Sequence, residues 1–178
     1  DTSIITPQKK IYNKNLEETQ NFATLTLRDY GFSPYRNTSK NDVEIFFKFC
    51  KLLKVEPVIV PDDLSKIESY DFKKEFIINK KARQSIYARI ELYNKSIVNV
   101  FSPSGPGQLS LFIKDSKTIF FNYGIGGLDG DVDYYKKEGL LKYQQPFLAL
   151  GGHIIWNDCQ RSYDENDLKN SFEFLLKY

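Results

Sequence analysis

Short runs of apolar and β-branched residues recur along this chain, each followed by a polar loop and then by a stretch with helical periodicity. Thr24–Leu27, Val55–Val60, Ile97–Phe101, Thr118–Tyr123 and His153–Trp156 have the length and composition of buried strands. Between them Val43, Phe46, Phe47, Cys50 and Leu53 keep the 3/4/7 spacing of one helical face, and Asn41 with Glu44 forms the expected capping box. Ala82, Ile86, Ile90 and Tyr93 predict a second helix over about 79–95. Pro106 suits the first turn of a third, with Leu109, Phe112 and Ile113 as its apolar face, and Leu168, Phe172 and Leu175 mark a last helix over 165–177 capped by Asp164. Strand alternating with helix predicts an α/β three-layer sandwich, Rossmann-like, with a mainly parallel sheet. Residues 1–21 read as an irregular lead-in and 22–178 as one lobe; residues 64–79 read mostly as loop, with room for a short helix or strand.

Composition narrows the function classes. The 178 residues suit one domain or one lobe of a larger enzyme. No run approaches the roughly 18 apolar residues of a membrane span, and the N-terminus lacks the order of a secretion signal, so a soluble, cytoplasmic protein is expected. The chain starts at Asp1 and contains no methionine, which suggests a fragment. With 25 basic and 23 acidic side chains the net charge of +2 does not announce nucleic acid. Cys50 and Cys159 are the only cysteines and His153 the only histidine. That pattern suggests neither a zinc site, a disulfide framework nor a Ser-His-Asp enzyme, and His153 and Trp156 read as structural residues.

The candidate site lies where strands end. In an open parallel sheet, ligands bind beyond the carboxyl ends of the strands, where loops expose backbone N–H groups. Arg28 closes the first strand and can grip phosphate through parallel hydrogen bonds, or can simply pair with a neighbouring carboxylate. Arg36 and Asn37 add a cation and an amide, or ordinary turn chemistry. Asp62 and Asp63 follow the second strand, where an acidic side chain can accept from a ribose or cap a turn. Ser102-Pro103-Ser104-Gly105-Pro106-Gly107 is neither a Walker loop nor a G-x-G-x-x-G fingerprint, yet it offers two hydroxyls and flexible glycines before a helix.

Other groups are weaker candidates. Arg83 and Arg89, six apart on one predicted helix, are expected on different faces, salt-bridged or exposed. Asp129, Asp131 and Asp133 have D-x-D spacing that could hold a divalent ion but lack the glycine and glutamate of a calcium loop. Cys50 reads as a buried apolar residue.

At Thr24–Asn37, Val58–Asp63 and Phe101–Gly107 the order of features resembles the donor-binding lobe of inverting GT-B glycosyltransferases, especially fucosyltransferase-like ones. His153-Ile154-Ile155-Trp156-Asn157-Asp158 looks like the closing segment of some uncharacterised bacterial sugar transferases. The chain departs from the fucosyltransferase pattern at Thr26-Leu27-Arg28-Asp29, where His-x-Arg-Arg is usual. The resemblance implies transfer of a sugar from a nucleoside diphosphate to an acceptor hydroxyl, with inversion and without a metal or other cofactor. It assigns Arg28 to the departing diphosphate as catalytic residue, and Arg36, Asn37, Asp62, Asp63, Ser102, Ser104, Gly105 and Gly107 to the donor. The partners implied are a nucleotide sugar, a glycan or other hydroxyl acceptor and an N-terminal lobe carrying the acceptor-side base. The alternatives are a metal-dependent D-x-D enzyme and a non-catalytic α/β interaction domain.

Overall fold

The computed structural model describes residues 21–32, 34, 37–62, 76–102, 104–123, 147–149, 152–158 and 164–177. Seven strands form one sheet: β1 (Phe22–Thr26), β2 (Glu56–Val60), β3 (Ile77–Ile78), β4 (Val98–Phe101), β5 (Lys117–Tyr123), β6 (Phe147–Ala149) and β7 (Gly152–Asp158). Their order is β3-β2-β1-β4-β5-β7-β6, and every pairing is parallel except β6 with β7 at the edge. The first five strands thus follow the doubly wound order, in which the chain leaves β1 to one side and returns to the other at β4. The expected three-layer, Rossmann-like α/β architecture is the one observed.

Strand alternation divides the core into two layers. Ala23, Leu25, Ile59, Val98, Val100 and Ile119 face helices α1 (Lys40–Leu53) and α5 (Glu165–Leu175), meeting Phe46, Phe49, Leu168 and Leu175. Phe22, Val58, Val60, Phe101 and Phe120 point the other way, toward Ala82 of α2 (Lys80–Gln84) and Leu92 and Tyr93 of α3 (Ile86–Lys95). One-residue alternation produces this division because successive side chains leave opposite faces of the pleat. The second face also carries a polar stripe. Thr24 Oγ1 donates to Asn99 Oδ1 at 2.6 Å, and Asn99 Nδ2 donates to Tyr93 O at 3.0 Å and to Ser116 Oγ at 3.2 Å. Asn99 is fully buried and its amide is satisfied on both sides, so the stripe fixes β1, β4 and α3 against one another.

Several elements differ from the sequence expectations. Helix α1 is capped by Ser39 and Asp42, whose side chains bond each other's backbone N–H, rather than by Asn41 and Glu44. The helix expected over 79–95 is two helices, because Ser85 adopts an extended backbone and caps α3 through Ala88 N. Ile86 and Ile90 are accordingly exposed while Ala82 and Tyr93 are buried. Residues 77–78 form an edge strand, the short element left open for the 64–79 stretch, and the single strand expected at 153–156 is the longer β7 paired with β6. After β4 the chain makes one α-helical turn, α4 (Gly105–Gln108), and one 3-10 turn over Leu109–Phe112. The last helix is as expected, with Asp164 accepting from Asn166 N and Asp167 N.

Candidate functional site

The carboxyl ends of β1, β2 and β4 meet at one edge of the sheet. Leu27 N donates to Val60 O at 2.9 Å, extending the β1–β2 ladder by one step before the chain turns away. The loop from β1 to α1 is then closed at its base. Arg28 N donates to Thr38 Oγ1 at 2.9 Å and Thr38 N donates to Arg28 O at 2.9 Å. Thr38 Oγ1 also lies 3.2 Å from Ser102 Oγ, the first residue past β4. Both hydroxyls are buried, so this contact bridges the crevice between β1 and β4 from below. On the other flank, Asp29 N donates to Asp62 Oδ2 at 3.3 Å and ties the loop to the end of β2.

Arg28 is buried, with 7% of its surface exposed. Its two terminal nitrogens donate to Asn37 Oδ1 at 2.6 Å and to Phe32 O at 2.9 Å, and its guanidinium lies 5.7 Å from the centre of the Tyr30 ring. Asn37 completes the staple by accepting from Tyr30 N and donating to Tyr30 O, each at 3.0 Å. Arg28 and Asn37 therefore come together, and these donors and acceptors hold the loop itself.

Asp62 is partly buried, and loss of hydration pushes its carboxyl pKa above the ordinary value of 3.8. The Asp29 N–H and the cations Arg89 and Arg28 pull in the opposite direction. Arg83 Nε donates to Asp62 O at 2.6 Å, and Arg89 Nε to Ala82 O at 2.7 Å. Sequence reasoning set these two arginines aside as facing different ways on one helix. The break at Ser85 voids that geometry and brings both around Asp62; the serine, a good helix cap, was the available signal. Tyr93 also reaches this end of the sheet, its hydroxyl 2.7 Å from Thr26 Oγ1, and burial pushes its pKa up to about 12.

Past β4 the candidate residues separate into two kinds. Ser102 is fully buried beneath the crevice. Ser104 Oγ is buried too but has no hydrogen-bond partner among the described residues, although Ser104 occupies the cap position of α4. Space around the α-carbon of Gly105 is open, whereas a Cβ at Gly107 would stand 2.7 Å from Phe120 Cε1 and 3.2 Å from Phe101 Cγ. Gly107 thus serves the close approach of α4 to the sheet. Arg36, Asp63 and the Asp129, Asp131 and Asp133 group lie outside the described residues.

The remaining groups sit elsewhere. His153 pairs with Lys117 at the amino-terminal ends of β7 and β5, away from Arg28. Cys50 is buried against α1's neighbours, and burial pushes its thiol pKa up, which makes it a poor nucleophile at neutral pH. A depression of about 370 Å³ beside Phe47, Lys51, Glu56 and Pro57 opens at the start of β2, at the opposite end of the sheet from the loops. Among the described residues there is no group of three or more His, Cys, Asp or Glu placed to hold a metal ion, and no helix is long and apolar enough to cross a membrane. No protein-family model, curated protein or solved structure matches the chain.

Proposed function

We propose that this chain is the donor-binding lobe of a glycosyltransferase of the inverting GT-B kind, holding a nucleoside diphosphate sugar at the carboxyl ends of β1, β2 and β4. One observation carries the reading: the main-chain N–H of Arg28 bonds Thr38, which meets Ser102, and the main-chain N–H of Asp29 bonds Asp62, so the ends of β1, β2 and β4 are tied together at the topological crevice beside a buried guanidinium. Such a crevice at the point where strand order reverses is where doubly wound sheets take nucleotides. Ser104 Oγ, buried and unpaired, and the backbone N–H groups at Gly105 supply donors on the β4 side.

In this reading the acceptor oxygen attacks the anomeric carbon as the bond from that carbon to the phosphate oxygen breaks. The bonding electrons pass to the diphosphate, and the acceptor proton passes to a base in an N-terminal lobe. Arg28 counters the charge growing on the diphosphate from a fixed, water-poor position, and Ser104 with the N–H groups beside it donates hydrogen bonds. Removing one preorganised donor in such sites costs about 3 kcal/mol of transition-state stabilisation. The second carboxylate oxygen of Asp62 accepts from a ribose hydroxyl, with Arg83 and Arg89 holding its surroundings in place.

A thermal-shift panel of GDP, UDP, ADP and CMP sugars, with and without Mn²⁺, tests the proposal. One nucleotide series at about 100 times its Kd should add about 2.7 kcal/mol of stability. Stabilisation independent of the ion supports the reading, stabilisation only with Mn²⁺ favours a D-x-D enzyme, and a flat panel to millimolar concentration overturns both.

A further inference from the structure

Polar groups anchor the start of the loop after β1 and leave the rings of Tyr30 and Phe32 outside. Tyr30 is 57% exposed and Phe32 81% exposed, although the backbone of each is anchored: Tyr30 by both ends of the Asn37 amide and Phe32 through its carbonyl to Arg28. An apolar ring left in water on a mobile tail needs no explanation, but a ring held on a stapled loop is preorganised for contact. The Arg28 guanidinium backs the Tyr30 ring at 5.7 Å, which restrains the ring and leaves its outward side open. The adjoining residue, Asp29, donates its backbone N–H to Asp62 at the end of β2, so the chain at Tyr30 is one residue from the anchor to the carboxylate assigned to the ribose.

We propose that Tyr30, backed by Arg28 and flanked by Phe32, is the platform on which the nucleobase of the bound nucleotide stacks. This rests on the crevice binding a nucleoside diphosphate, and it adds which end of that ligand lies where: base over the outer face of the β1 loop, ribose at Asp62, diphosphate between Arg28 and Ser104. Every base has a π face, so the platform supplies affinity for the nucleoside and little choice among bases. Choice among bases falls to other groups.

Calorimetric titration of inorganic pyrophosphate and of the best nucleoside diphosphate, on the intact chain and on Tyr30→Leu, Tyr30→Phe and Phe32→Leu, tests it. Leucine keeps apolar bulk without a π face. The expected result is a loss of nucleotide affinity of roughly tenfold or more in Tyr30→Leu, near-full retention in Tyr30→Phe, and pyrophosphate affinity unchanged in all of them. A nucleotide that binds Tyr30→Leu as tightly as the parent overturns the platform and leaves the diphosphate site standing. Failure of both ligands to bind the parent overturns the crevice and the platform together. Equal losses for pyrophosphate and nucleotide in Tyr30→Leu show that the ring merely supports the loop, and the platform is again refuted.

Discussion

Replacing Arg28 by alanine should destabilise the fold even without ligand. The side chain is 7% exposed and makes charge-assisted hydrogen bonds of 2.6 Å to Asn37 Oδ1 and 2.9 Å to Phe32 O. Bonds to charged groups contribute about 1.5–3 kcal/mol each. Two offsets apply. The Phe32 carbonyl belongs to an exposed residue and can rehydrate, and Asn37 Oδ1 still accepts from Tyr30 N. The net cost should be about 2–3 kcal/mol, which for a domain of this size lowers Tm by roughly 4–12 °C. Urea unfolding followed by circular dichroism would show a lower midpoint at unchanged slope. Arg28→Lys should recover only part of the loss, since one ammonium cannot span both acceptors as the planar fork does. A change within about 0.5 kcal/mol, the range of ordinary surface substitutions, would refute the staple. Because burial makes Arg28→Ala costly in itself, loss of ligand binding in Arg28→Ala has to be compared with Asn37→Ala, which loosens the loop but keeps the charge.

Other consequences follow from the same geometry. Tyr93→Phe leaves the buried Thr26 hydroxyl without its partner and should cost about 1–2 kcal/mol, whereas combining it with Thr26→Val removes both partners and should cost less than the two single changes summed, as a denaturation double-mutant cycle would show. Asp62 has a folded-state pKa above its unfolded value, so the folded protein binds the extra proton and stability falls as pH rises through that window. Asp62→Asn should therefore raise Tm at pH 7, with the gain disappearing as pH is lowered toward 4, while nucleotide affinity drops; a lower Tm at pH 7 would contradict this. Gly107→Ala should cost about 1–3 kcal/mol by overpacking Phe120 and Phe101, measurable as a lower Tm.

Much of the architecture was legible because it rests on local periodicity. The stripe Val43, Phe46, Phe47, Cys50 is buried as a helical face must be, and Leu168, Phe172 and Leu175 dock beside it. Boundaries were less legible where two local signals compete. Ser39 with Asp42 and Asn41 with Glu44 both have capping-box spacing, and only the path of the preceding loop selects the first. The stripe Ala82, Ile86, Ile90, Tyr93 runs through Ser85 without interruption, yet Ile86 and Ile90 face water because the two short helices pack as separate pieces. Strands β3 and β6, of two and three residues, are too short for an alternation to register.

At the site, the positions of Arg28, Asp62, Ser102 and Ser104 were legible from the rule that ligands meet strand ends. Their partners were not. The bonds of Arg28 to Asn37 and Phe32, and of Thr38 to Ser102, depend on how the loop folds back and on contacts 64 residues apart in sequence. Gly107, which looks like part of a phosphate-binding loop, proves to be set by two aromatic rings on β4 and β5.

Amide hydrogen exchange with and without a saturating nucleoside diphosphate tests the central claim most directly. Protection is predicted at 28–32, at 37–38, at 62 and at the non-proline residues of 102–108, with residues at the opposite end of the sheet unchanged. Protection confined to the depression beside Phe47, Lys51 and Glu56, or none at millimolar ligand, would contradict it.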